Sequence, residues 1–230
     1  VIALLPVEGL PEVRPGDELA DLVLRAVQLE DHDVVVVTQK AVSKAEGRLV
    51  ALDEGDAAAR RRLIWSESRR VLRERGSLVI SETHHGFVCA NAGVDLSNVA
   101  RGQAALLPVD PDRSARHIRD ALHARTGLVL GVVISDTFGR PWRAGLTDVA
   151  IGCAGIAAVV DLRGTQDALG RPLAATEVCT VDEIAAAAEL AKGKATAVPA
   201  VVVRGLDKAW FRESSVRAEV VRPHRLDLFW

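Results

Sequence analysis

Four consecutive valines, Val34 to Val37, stand between Asp33 and a polar stretch that begins at Thr38. A β-branched run of this kind favours a strand, and because it lacks apolar–polar alternation, the segment DVVVVTQKAV (Asp33 to Val42) predicts a strand buried on both faces. Such a strand restricts the chain to folds that cover it from two sides. Similar runs recur at SLVISE, GLVLGVVIS, IAAVVDL and AVPAVVV.

Helical patterns lie between them: DELADLVLRAV, ARRRLIWSESRRVLRER from Ala59 to Arg75, and SARHIRDALHART from Ser114 to Thr126. A further helix, DEIAAAAELAKGK, carries Thr180 and Glu183 at capping-box spacing. The uneven order of strands and helices, with loop chemistry in THHGFVCANAGVDLSNVARG, predicts an α+β fold and gives no regular βαβ repeat. No internal repeat, low-complexity tract or linker divides the chain. Its 230 residues read as one continuous unit, with two interlocked lobes as the other arrangement.

Hydrophobic residues at 49% and charged residues at 26% are ordinary for a globular protein and exclude disorder as the dominant state. A formal charge of -2 gives no general attraction to nucleic acid or anionic lipid, so neither is an expected partner. Cys89, Cys153 and Cys179 lie far apart and form no CxxC pair, which fits a reducing compartment. With no apolar run approaching the roughly 20 residues of a membrane span and no signal-peptide pattern, the expected location is cytoplasmic. Aromatic residues make up only 3%, so a nucleotide would be held mainly by its phosphates.

The strongest local candidate for chemistry is VVISDTFGRPWRAG. Here the strand is expected to end at Ser135 and to deliver Asp136 and Thr137 into a turn containing Gly139 and Pro141. A carboxylate and a hydroxyl are hard oxygen ligands for Mg2+ or Mn2+, and Arg140 and Arg143 follow closely enough to hold phosphate or carboxylate oxygens. The same sequence also suits an Asp-capped turn with solvated arginines. In NAGVDLSNVARG, Asp95 could pair with Asp136 on an ion, with Asn98 nearby, or form an ordinary Asx turn.

Lys44 in QKAVSKAEGR is a candidate phosphate contact or a surface lysine. His84 and His85 have no further ligand at zinc spacing, and on a strand they would point to opposite faces. GxxxxGK[ST], GxGxxG after a strand and GxSxG are all absent from the sequence. The nearest fragment, AKGKAT (Ala191 to Thr196), lacks the upstream glycine and the hydroxyl directly after lysine. The fold is therefore expected to be neither P-loop nor Rossmann.

At these segments the sequence resembles the coenzyme F420-0:L-glutamate ligase family. The matching stretches are LPVEGLPEVRPGDELA, DVVVVTQKAVSKAEGR, NAGVDLSNV, LLPVDPD, ISDTFGRPWRAGLTDVAIGCAG, TEVCTVDEIAAAAELAKGKATAVPAVVVRG and the closing DLFW, in order from Leu5 to Trp230. The resemblance implies a GTP-dependent ligase of the mixed-sheet type that adds L-glutamate to coenzyme F420-0 in coenzyme F420 biosynthesis. It implies divalent ions, Mg2+ or Mn2+ and two in number, with potassium as a further candidate. A homodimer is also implied. Bacterial relatives often continue past DLFW into a flavin-binding reductase-like domain, so such a domain, fused or separate, is a further expected partner.

Carried over residue by residue, the GTP contacts fall on Leu10, Pro11, Glu12, Val13, Gln39, Lys44 and Asn98. The metal ligands fall on Asp95, Asp136 and Thr137. At Gln39 relatives often carry a small hydroxyl residue. Asp136, Lys44, Arg140 and Arg143 are the candidates for direct participation in catalysis. Two other functions use the same residues: metal-dependent phosphoester hydrolysis, which needs neither glutamate nor GTP, and GTP binding without turnover.

Overall fold

A computed structural model describes residues 1–53, 55–193 and 196–227. Lys194 and Ala195 of the AKGKAT fragment, and Leu228, Phe229 and Trp230 of the closing DLFW segment, lie outside the described residues. Short 3-10 turns aside, the chain begins with β1 (Ala3–Pro6), α1 (Leu19–Ala26), β2 (Val34–Thr38), α2 (Gln39–Ala45) and β3 (Leu49–Ala51). Next come α3 (Ala57–Ser66), β4 (Ser68–Arg75), β5 (Leu78–Thr83), β6 (Val88–Ala90), β7 (Gln103–Ala105) and α4 (Pro111–Thr126). The remainder holds β8 (Gly131–Arg140), β9 (Arg143–Ala154), β10 (Val160–Asp161), β11 (Glu177–Val178), α5 (Thr180–Lys192), β12 (Ala200–Arg204) and α6 (Val216–Glu219).

The main sheet has the order β1-β12-β2-β8-β9, in which β2 and β8 run parallel and every other neighbouring pair is antiparallel. This is the mixed sheet of an α+β fold, as expected. Val34 to Val37 are all at most 2% exposed. The two-residue period of a strand sends them to alternate layers. Val35 and Val37 join the core formed with Val23 of α1 and Leu122 of α4, whereas Val34 and Val36 pack with Val181 and Ala185 of α5. Each such burial contributes roughly 1.5–3 kcal/mol.

Ile134, fully buried in the first of these layers, offers a check on that packing. Ile134→Ala is expected to lower the unfolding free energy by about 2–5 kcal/mol in urea titrations; an unchanged midpoint would contradict the packing. A second sheet, β4-β5-β6, encloses a smaller core that contains Ile64 and Val79. No helix among the described residues is long and apolar enough to cross a membrane.

Five local expectations are corrected. The valine strand stops at Thr38, whose hydroxyl accepts from the Ala41 amide at 3.4 Å, so QKAV is the first turn of α2. The Ala59 to Arg75 segment is a helix only to Ser66 and then turns into β4. There the Ser68 hydroxyl donates to the Ile64 carbonyl at 2.6 Å, and Arg69 and Arg70 each reach Glu82 at 3.3 Å. No capping box forms on α5: Cys179 is its N-cap, and the Thr180 hydroxyl donates instead to the Val178 carbonyl at 3.3 Å. Of IAAVVDL only Val160 and Asp161 are strand. His84 and His85 occupy a turn between β5 and β6, with the ring of His85 stacked on Phe87 at 5.5 Å.

Candidate active site

The strand β8 does not end at Ser135. Its parallel partner β2 ends opposite that residue, at Thr38, but β8 continues to Arg140 by pairing with β9. Asp136 and Thr137 are therefore strand residues held by a hairpin ladder, and the turn, at Pro141 and Trp142, begins five residues after Asp136. A cleft of about 1060 Å³ opens at the carboxyl end of β2, where β8 runs on past it through Asp136 and Thr137. That is where sheets with parallel strands commonly bind ligands, because the strand ends and the helix that follows leave a crevice there.

Lys40, from the start of α2, and Asp95, from the loop before β7, meet on one side of this cleft. The Lys40 ammonium lies 2.8 Å from the Asp95 carboxylate and donates to the Ser97 hydroxyl at 2.7 Å. Burial works against ionisation of Asp95, but Lys40 and the Ser97 amide outweigh it and hold the carboxyl below its usual range. Asp136 behaves oppositely. Burial, helped by the neighbouring carboxylates of Asp95 and Asp148, raises its pKa to about 7 against the opposing bond from the Thr137 amide.

Thr137 is directly opposite Asp148 of β9 in the ladder, and its hydroxyl donates to one Asp148 oxygen at 2.6 Å. The other oxygen accepts from the Ser135 hydroxyl at 3.0 Å and from the Lys192 ammonium at 2.7 Å. Lys192 is the last residue of α5 and is 3% exposed. Adjacent residues of a strand point to opposite faces, so Asp136 and Thr137 present their oxygens on different sides of β8.

Leu10, Pro11, Glu12 and Val13 line the mouth of the cleft from the loop after β1, and Asn98 lines it in a left-handed conformation that asparagine tolerates. The Lys44 ammonium pairs with the Glu12 carboxylate. Gln39 is 1% exposed and turns inward: its amide nitrogen donates to the Ser43 hydroxyl at 2.6 Å and to the Leu106 carbonyl at 2.9 Å. Arg140 and Arg143 pair across the exposed hairpin tip and are not among the residues lining the cleft.

The structure thus gathers Leu10 to Val13, Gln39, Lys44, Asp95, Asn98, Asp136 and Thr137 around one space. Lys40, Asp148, Glu189 and Lys192 line it as well, and the sequence reading did not single them out. Lys40 carried a usable signal, since it lies two residues beyond the end of β2. Asp148 and Lys192 carried none, because only strand pairing and helix docking bring them to the site.

The oxygen donors suit a hard divalent ion. Among the described lining residues five carboxylates face three ammonium groups, so polyphosphate bound here needs added positive charge. No group of three or more His, Cys, Asp or Glu side chains among the described residues is arranged to cage an ion. Such a site fits an ion of the Mg2+ type, which keeps waters and shares its shell with substrate phosphate.

The family model described as F420-0:Gamma-glutamyl ligase matches residues 9–205. A protein of Methanothermobacter thermautotrophicus named coenzyme F420:L-glutamate ligase is 42% identical over 248 residues, covering 99% of this chain and 98% of its own length. Proteins of the same name from Methanopyrus kandleri and Archaeoglobus fulgidus are 40% and 41% identical, over 98% and 90% of this chain and 97% and 89% of their own lengths. With the model match spanning most of the chain and these relatives aligned nearly end to end, this chain belongs to the F420-0:gamma-glutamyl ligase family.

Proposed function

We propose that the chain joins L-glutamate to coenzyme F420-0 at the expense of GTP, in coenzyme F420 biosynthesis. The observation that carries this reading is the cleft at the end of β2, lined by Lys40, Lys44, Asp95 and Asp136, in a member of this family. A carboxylate and an amine do not condense in water without activation. An oxygen of the F420-0 carboxylate attacks the γ-phosphorus of GTP, the bond to GDP breaks, and an acyl phosphate forms. The glutamate amine then adds to the acyl carbon, loses its proton and expels phosphate.

The protein's task in such chemistry is positioning and charge neutralisation. Leu10 to Val13, Gln39 and Asn98 form the nucleotide side of the cleft, and Lys44 offers a point charge to phosphate. Asp95 and Asp136 would hold one Mg2+ or Mn2+, and Thr137, on the opposite face of β8, a second. When bound, these ions supply positive charge to phosphate oxygens. Potassium belongs to the same reading without assigned ligands. Dimerisation belongs to it too: Trp142 at the hairpin tip and Leu146 of β9, at the rim of the cleft, 83% and 69% exposed, are apolar surface that a second copy would cover, and Arg140 and Arg143 would meet substrate only through that copy.

Oxygen-18 placed in the F420-0 carboxylate tests the activation step. One labelled oxygen is expected in the phosphate released, and unlabelled phosphate alongside glutamylated product would contradict it. The raised Asp136 pKa has a further consequence, because proton and ion compete for the same oxygens. Affinity for Mn2+ is expected to fall by about tenfold per pH unit below the carboxyl's pKa and to level off above it. Mn2+ titrations on both sides of neutrality read this directly, and a constant affinity would count against Asp136 as a ligand.

A further inference from the structure

We infer that Asp148 is a positioning residue: it commits the Thr137 proton, so that the hydroxyl oxygen meets a bound cation as an acceptor. The inference rests on the reading of Thr137 as a cation ligand. A hydroxyl has one proton and two acceptor positions, and a rotating one would turn its proton toward an approaching cation part of the time. Ladder pairing sets Asp148 directly opposite Thr137, and the hydroxyl donates to its Oδ1 at 2.6 Å. The Oδ2 oxygen is occupied by Ser135 at 3.0 Å and Lys192 at 2.7 Å. Asp148 is 2% exposed, and Lys192 approaches it from another element, the end of α5. The carboxylate is therefore held from two sides and cannot turn away from the threonine.

Asp148→Asn reverses this arrangement with little change of shape. Its amide oxygen keeps the bonds from Ser135 and Lys192, and its NH2 group now faces Thr137 as a donor. The hydroxyl must then turn its proton elsewhere. Binding of the second Mn2+ to the full chain, followed by electron paramagnetic resonance without nucleotide, is expected to weaken by about tenfold or more in Asp148→Asn. Thr137→Val is expected to lose a similar amount and Thr137→Ser to bind like the unmodified protein.

The double variant separates orientation from simple loss of charge. If Asp148 acts through Thr137, Asp148→Asn adds no further loss in the Thr137→Val background. An equal loss in both backgrounds would assign the effect to charge alone and overturn the inference, as would unchanged binding in Asp148→Asn. Absence of a second bound Mn2+ in the unmodified chain, or its full binding by Thr137→Val, would overturn the cation reading of Thr137 and the inference with it. Should circular dichroism find Asp148→Asn unfolded, Ser135→Ala takes its place in the cycle. It loosens the Oδ2 side of the same carboxylate and is expected to weaken binding only when Thr137 is present.

Discussion

Asp136→Ala is expected to lower glutamate-dependent GTP turnover by about a thousandfold or more, a loss of roughly 4 kcal/mol of transition-state stabilisation. The variant leaves Asp95 as the remaining carboxylate on its side of β8, and a single carboxylate seldom holds Mg2+ well. Raising Mn2+ should recover only part of the rate. Stability should move the other way. Burial and two neighbouring carboxylates disfavour ionised Asp136 and hold its pKa near 7, so the folded state retains a proton that the unfolded chain gives up at lower pH. Stability of the metal-free protein therefore falls as pH rises toward 7, and removing the group relieves that loss. Steady-state rates with thermal unfolding above neutrality test both halves. Normal turnover at saturating metal and GTP would sink the metal-centred scheme.

Lys44→Ala is expected to reduce kcat/KM for GTP by about 10²–10³-fold, the cost of removing one preorganised charge from a developing phosphoryl transition state. The KM for glutamate should change little. The side chain is 13% exposed, but its partner Glu12 is 74% exposed, so losing the pair leaves no carboxylate stranded in the interior and the fold should persist. Lys40→Ala makes an instructive comparison, since Lys40 sits against Asp95 rather than Glu12. Kinetic constants for both substrates decide the matter. A Lys44 variant with an unaltered GTP dependence would remove this residue from the nucleotide site.

The parts of this molecule that were legible in the sequence are those whose neighbours the residues themselves announce. Val34 to Val37 could only be a strand covered twice, and α4 and α5 follow from their helical spacing. The segment from Ala59 to Arg75 misled because the apolar pairs Leu63–Ile64 and Val71–Leu72 lie eight residues apart, as on a helix face. Pairing with β5 overrides that spacing and turns the second half into a strand. Asp136 was singled out for a mistaken local reason. Gly139 and Pro141 suggested that a turn starts immediately after Ser135, whereas pairing with β9 carries the strand to Arg140 and fixes the carboxylate on a rigid ladder.

Long-range placement explains what was missed. Pairing of β9 sets Asp148 against the Thr137 hydroxyl, and the docking of α5 brings Lys192, distant along the chain, onto the same carboxylate. Gln39 was read only as a nucleotide contact, whereas its amide nitrogen also bonds Ser43 and Leu106 and so shapes the wall of the cleft as α2 begins. Arg140 and Arg143 were close to Asp136 in sequence, but the hairpin carries them to its exposed tip.

The most direct test of the ligase reading is a reaction of the purified chain with F420-0, L-glutamate, GTP and Mn2+, followed by mass spectrometry of the deazaflavin against single-omission controls. The expected result is a glutamyl mass increment that disappears when any one component is left out. Release of phosphate without glutamate, with no mass increment on the deazaflavin from the folded protein, would contradict it.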